Sequence, residues 1–98
     1  MYYQTMIFTV PETAERMLEP LAALAGGYTL LPVGRGGWFD NFGNLITEES
    51  QVIVVIHQKE RTDKIYALAS VIARETGQEE VWCTTTLVEF ERASLDSL

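Results

Sequence analysis

The sequence has one cysteine, one histidine and only seven basic residues, and each scarcity removes a class of function. A lone Cys83 cannot close a disulfide within the chain or build a cysteine-based zinc site. A lone His57, with no second histidine or cysteine as co-ligand, argues against a dedicated transition-metal centre. No metal and no cofactor are therefore expected. Seven Lys and Arg against fourteen Asp and Glu leave a net charge of −7, which excludes a general nucleic-acid binder that needs clustered cations on phosphates. No apolar run approaches membrane-spanning length, and the first residues lack a charged-then-apolar signal pattern. The expectation is a soluble, cytoplasmic protein without a membrane partner.

What is present is a globular composition, 98 residues of which 47% are hydrophobic. That suits one domain, residues 1–92, with a frayed tail at 93–98. The chain is arranged around Gly34 to His57. Val52 to Ile56 is a continuous β-branched run, the pattern of a strand with two apolar faces. One layer of helices covers only one of them, so the second face calls for another subunit. Asp40-Asn41-Phe42-Gly43-Asn44 supplies turn chemistry, with Trp38 and Phe39 leading in and Leu45 and Ile46 leading out. This predicts a long hairpin projecting beyond the core.

Along the chain, Tyr2 to Val10 alternates as a first strand and Pro11 ends it. Thr13 is the expected N-cap of a helix reaching Ala25, with Pro20 predicting a kink or a break and Gly26-Gly27 the stop. Tyr28 to Val33 reads as a second strand at a sheet edge, because it contains Pro32. The third strand runs from about Leu45 to His57. Thr62 is expected to cap a second helix, whose stripe is Ile65, Leu68, Ala69 and Ile72 and whose stop is Gly77. Val81 to Phe90 is the fourth strand. The order β-α-β-β-α-β predicts an α+β, ferredoxin-like fold: an antiparallel four-stranded sheet, two helices on one face, and a hairpin projecting between the second and third strands. The helix-free face is where a homo-oligomer, dimer or trimer, is expected to form.

Gly36, Trp38, Asp40, Gly43, Glu48, Ser50, Val52 and His57 fit a G-x-W-x-D-x-x-G-x-x-x-x-E-x-S-x-V-x-x-x-x-H pattern, and Gly77 to Val81 fit G-Q-E-x-V. In these motifs the chain resembles an uncharacterised family of small bacterial domains of unknown function. It departs where that family shows a Phe-Gly pair, since Phe8 is followed by Thr9. The layout is also similar to the PII and CutA trimers. That resemblance implies a hairpin loop between the second and third strands and ligands held between subunits.

Several residues carry candidate chemistry, each beside a plainer reading. His57 suits a base or a phosphate contact, or simply ends a strand. Glu48 and Ser50 share a strand face, with Asp40 expected nearby across the hairpin; carboxylates there could work as acid and base or merely solvate the arm. Gln78 and Glu79 follow the second helix, either satisfying its end or lining a cleft. Gly34-Arg35-Gly36-Gly37 is the best anion-binding candidate, although it opens no helix and so is no P-loop. Trp38 and Phe42 near the loop suggest contact with a partner, whereas Trp82 reads as core or subunit packing.

The leading expectation is a non-enzymatic, oligomeric protein binding a small anionic, nucleotide-like ligand. Its cleft would be formed by Arg35, Gly36, Gly37, Trp38, Asp40, Glu48, Ser50, His57, Gln78 and Glu79. The alternatives are a small acid–base enzyme using His57 and Glu48, and an interaction module acting through the 34–50 hairpin.

Overall fold

The computed structural model describes residues 2–89. It is built of β1 (Tyr2–Thr9), α1 (Pro11–Ala25), β2 (Thr29–Leu30), β3 (Gly34–Phe39), β4 (Leu45–Gln58), a 3₁₀ turn (Lys59–Arg61), α2 (Thr62–Glu75) and β5 (Trp82–Val88). The sheet is antiparallel with strand order β2-β4-β1-β5, and β3 pairs with β4 alone. This is the expected α+β ferredoxin-like arrangement. The 93–98 tail and Phe90 lie outside the described residues.

Side-chain alternation sends Thr5 and Ile7 of β1, and Ile53, Val55 and His57 of β4, under the helices, where all five are buried. Above them lie Ala14, Met17, Leu18 and Leu21 of α1 and Ile65, Ala69, Ile72 and Ala73 of α2. α1 packs over β4, and the two helices pack on each other. The other face carries no helix and leaves Tyr2, Phe8, Ile56 and Trp82 exposed. Trp82, at 69% exposure, is not core, so the subunit half of its expected role is what stands open.

Local signals misplaced two boundaries, and of the two outcomes expected at Pro20 the break does not occur. α1 begins at Pro11, whose missing N–H costs nothing in a first turn, so Thr13 lies inside the helix and is no cap. Its buried hydroxyl instead donates to the Thr76 hydroxyl (2.7 Å), joining the start of α1 to the end of α2, while Thr76 donates back to the Ile72 carbonyl (2.9 Å). α1 also runs as one element through Pro20, because the buried stripe continues on both sides of it. Thr62 is likewise the first residue of α2, and its hydroxyl donates to the Lys59 carbonyl (2.7 Å) across the 3₁₀ turn.

The helix stops are as read. Gly26 (φ 94°) closes α1 with its N–H on the Ala22 carbonyl (2.8 Å). At Gly77 (φ 82°) the N–H groups of Gly77 and Gln78 bond the carbonyls of Arg74 (3.1 Å) and Ala73 (2.8 Å), a Schellman closure.

The expected second strand is divided. Only Thr29 and Leu30 pair with β4, Leu31 adds one bond to the Val52 carbonyl (2.9 Å), and the chain resumes pairing at Gly34. Pro32, lacking a donor, sits in the gap. β4 is long enough to serve three partners, β2 and β1 along the body and β3 beyond it. Gln51 to Gln58 pair with β1, while Leu45 to Ser50 pair only with β3. The latter half is a two-stranded arm standing off the body, and it stretches the molecule to 57 × 27 × 21 Å.

Candidate functional site

The expected site residues fall into two groups at opposite ends of the sheet. The first lies on the arm and its base. Pairing places Gly34 opposite Ser50, Gly36 opposite Glu48 and Trp38 opposite Ile46, and these pairs share a face. Gly36 gives the Ser50 side chain room, since a Cβ there would stand 3.6 Å from it. Arg35 lies opposite Glu49, and Gly37 opposite Thr47, on the other face. The Gly34–Gly37 run is thus a regular strand rather than a loop of converging N–H groups. The aromatic residues that follow it are exposed, Trp38 at 47% and Phe39 at 72%.

Asp40 is at the arm's tip. Its Oδ1 accepts the backbone N–H groups of Phe42 and Asn44 (both 2.9 Å), and Oδ2 accepts the Asn44 side-chain amide (3.3 Å). Hydrogen bonding by the Asn44 amide, joined by that of Phe42, holds the Asp40 carboxyl below its ordinary value. Gly43 (φ 80°) completes the turn. Asp40 therefore builds the loop. It is four strand positions from the level of Glu48, about 13 Å along the arm, so the structure does not bring the two carboxylates together. Gln78 and Glu79 precede β5, whose first residue Trp82 pairs with Phe8 at the end of the sheet from which the arm springs.

His57 is at the other end, opposite Tyr3. It is nine positions from Glu48 along β4, about 30 Å, and on the opposite face. Within one protomer the two residues cannot share a substrate. Burial of His57 at 2% exposure is made tolerable by full hydrogen bonding. Its Nδ1 is 2.8 Å from the Gln58 carbonyl oxygen, which can only accept, so Nδ1 carries a proton. With a proton on Nδ1 alone, Nε2 accepts from the Thr5 hydroxyl (2.7 Å), Thr5 accepts from the Thr85 hydroxyl (2.8 Å), and Thr85 accepts from the Tyr66 hydroxyl. The Tyr3 ring stacks beside the imidazole at 6.5 Å between centroids.

Thr85 and Tyr3 also line an open groove of about 530 Å³, completed by Lys59, Glu60, Thr62 and Asp63. Sequence reasoning noted His57 but missed Thr5, Tyr66 and Thr85. The available signal was a threonine in a strand row otherwise bound for the core. Among the described residues no group of three or more His, Cys, Asp or Glu could hold a metal ion, and burial raises the Cys83 thiol above its ordinary value. No helix among them is long and apolar enough to cross a membrane.

Neither a protein-family model nor a curated protein matches the sequence. Solved structures do match. The divalent cation tolerance protein CutA1 of Thermus thermophilus is similar with a TM-score of 0.77 at 12% identity, over 94% of this chain and 88% of that one. A DUF3240 family protein from Shewanella baltica gives 0.67 at 9% identity, over 96% of each chain. A phage SAM lyase, in complex with S-methyl-5′-thioadenosine, gives 0.66 at 21% identity, over 87% of this chain and 80% of that one. At such identities the likeness establishes architecture alone. The chain shares the ferredoxin-like fold of the CutA1 proteins.

Proposed function

We propose that the protein is a cytoplasmic, oligomeric small-ligand-binding protein whose arm packs against another copy of itself. The observation that carries this reading is the state of the arm. Two strands without a third are at best marginally stable in water, yet Trp38, Phe39, Leu45 and Ile46 all remain exposed on them. From Leu45 to Ser50 the second edge of β4 is also unpaired among the described residues. The helix-free face, with Phe8, Trp82 and Ile56, offers another copy a further apolar surface.

The ligand cleft then lies where the base of the arm meets a neighbour. Because Trp38, Gly36 and Ser50 share one face of the arm and Arg35 and Gly37 the other, one copy supplies Trp38 as a stacking face and its neighbour supplies Arg35 as charge, with Gln78 and Glu79 of the turn after α2 as the polar rim. Such a set suits a small anion bearing a ring, a nucleotide being the first to test. The Thermus neighbour's description raises a divalent cation as another ligand, for which the described residues offer no clustered donors.

Native mass spectrometry of protein purified from cells tests both parts. A dimer or trimer carrying extra mass, lost in an Arg35→Ala, Trp38→Ala double variant, is the expected result. A ligand-free oligomer transfers the arm to protein recognition, and a monomer overturns the inter-subunit cleft.

A further inference from the structure

The four-residue chain behind the groove has a definite direction. Because the Gln58 carbonyl fixes the proton on Nδ1 of the neutral ring, every hydroxyl in the chain donates inward: Tyr66 to Thr85, Thr85 to Thr5, Thr5 to Nε2. The Tyr66 oxygen, on a residue 37% exposed, then has its O–H committed and turns lone pairs outward. A protonated His57 has no lone pair at Nε2 and must donate there. Thr5 must then donate to Thr85, Thr85 to Tyr66, and the Tyr66 O–H is released toward solvent. No intermediate arrangement satisfies all four groups, so the chain has two states.

We propose that Tyr66, Thr85, Thr5 and His57 form a proton-coupled switch that exchanges the Tyr66 hydroxyl between hydrogen-bond acceptor and donor beside the groove. The switching step conserves protons. Tyr66 gains one from water and passes its own to Thr85; Thr85 passes its own to Thr5, and Thr5 to Nε2. The net change is one proton moved from solvent to a ring that is itself 2% exposed. In the neutral state the Tyr66 oxygen, bonded to the groove-lining Thr85, favours ligands that donate an N–H or O–H. In the protonated state it favours carbonyl, carboxylate or phosphate oxygens.

Two aromatic side chains bear on His57. The Tyr3 ring lies against it from β1, and Tyr66 reaches it through the chain from α2. The charged residues of the groove that Thr85 and Tyr3 line are Lys59, Glu60 and Asp63.

The test is NMR of the whole chain across a pH series, following the His57 ring nitrogens and the Tyr66 Cζ resonance. The expected result is a neutral His57 protonated at Nδ1, and a Tyr66 resonance that moves with the same midpoint as His57. In Thr85→Val the amide spectrum stays folded and His57 still titrates, but Tyr66 no longer follows. The proposal is overturned by a neutral ring protonated at Nε2, by a Tyr66 signal silent through the His57 titration, by unchanged coupling in Thr85→Val, or by a His57 that stays neutral until the protein unfolds.

Discussion

Asp40 and Asn44 are joined in both directions. The Asp40 N–H donates to the Asn44 carbonyl (2.9 Å), while the Asp40 carboxylate accepts the Asn44 backbone N–H (2.9 Å) and its side-chain amide (3.3 Å). The tip of the arm is thereby closed by a single carboxylate working within its own loop.

That closure depends on charge. The Asp40 carboxyl is lowered in the folded state from an ordinary value of 3.8, so its contribution is complete above that value and is lost as pH falls through the lower, folded one. Acidification below about 3.8 is expected to loosen the tip first, seen as joint movement of the Phe42 and Asn44 amide shifts with the Asp40 carboxyl ¹³C signal. Asp40→Ala should give the loosened shifts at neutral pH.

Thr5→Val leaves His57 Nε2 buried without its partner, which should cost about 1–3 kcal/mol in urea denaturation. Thr85→Val should cost less, because Thr5 still reaches the imidazole. Equal losses would place the stabilisation elsewhere.

Gly77→Ala isolates a backbone effect. The residue sits at φ +82° with nothing within 4 Å of an added Cβ, so no packing term intervenes. The left-handed conformation should cost about 1–2 kcal/mol, read as a lowered thermal midpoint.

Trp82→Glu puts a charge on the helix-free face, where the ring is already 69% exposed in a single chain. The fold should survive by far-UV circular dichroism while sedimentation shifts to the monomer. An undiminished assembly would mean that the copies meet elsewhere.

The fold was legible where one residue type repeats a demand. The β-branched run Val52–Ile56 fixes a strand whichever face is counted, and the stripe Ile65, Leu68, Ala69, Ile72 sets the α2 face. Boundaries were less legible because threonine serves several purposes. Thr13 and Thr62 look like caps locally, but one is spent on Thr76 and the other on Lys59. At the site, Asp40 was read as a candidate for chemistry because the loop's internal bonding depends on geometry that spacing alone does not give. The Thr5–His57 bond spans 52 positions and follows from strand register, which no local pattern supplies.

β4 passes without interruption from the core to the arm, so one strand carries two very different environments. Amide exchange at Ile53 and Val55 requires opening of the body, whereas Leu45 to Ser50 need only lose β3. A single chain should show a steep gradient in protection, breaking near Gln51. Assembly would erase it. The protection of the amides from Leu45 to Ser50 is therefore a built-in gauge of whether the arm is occupied.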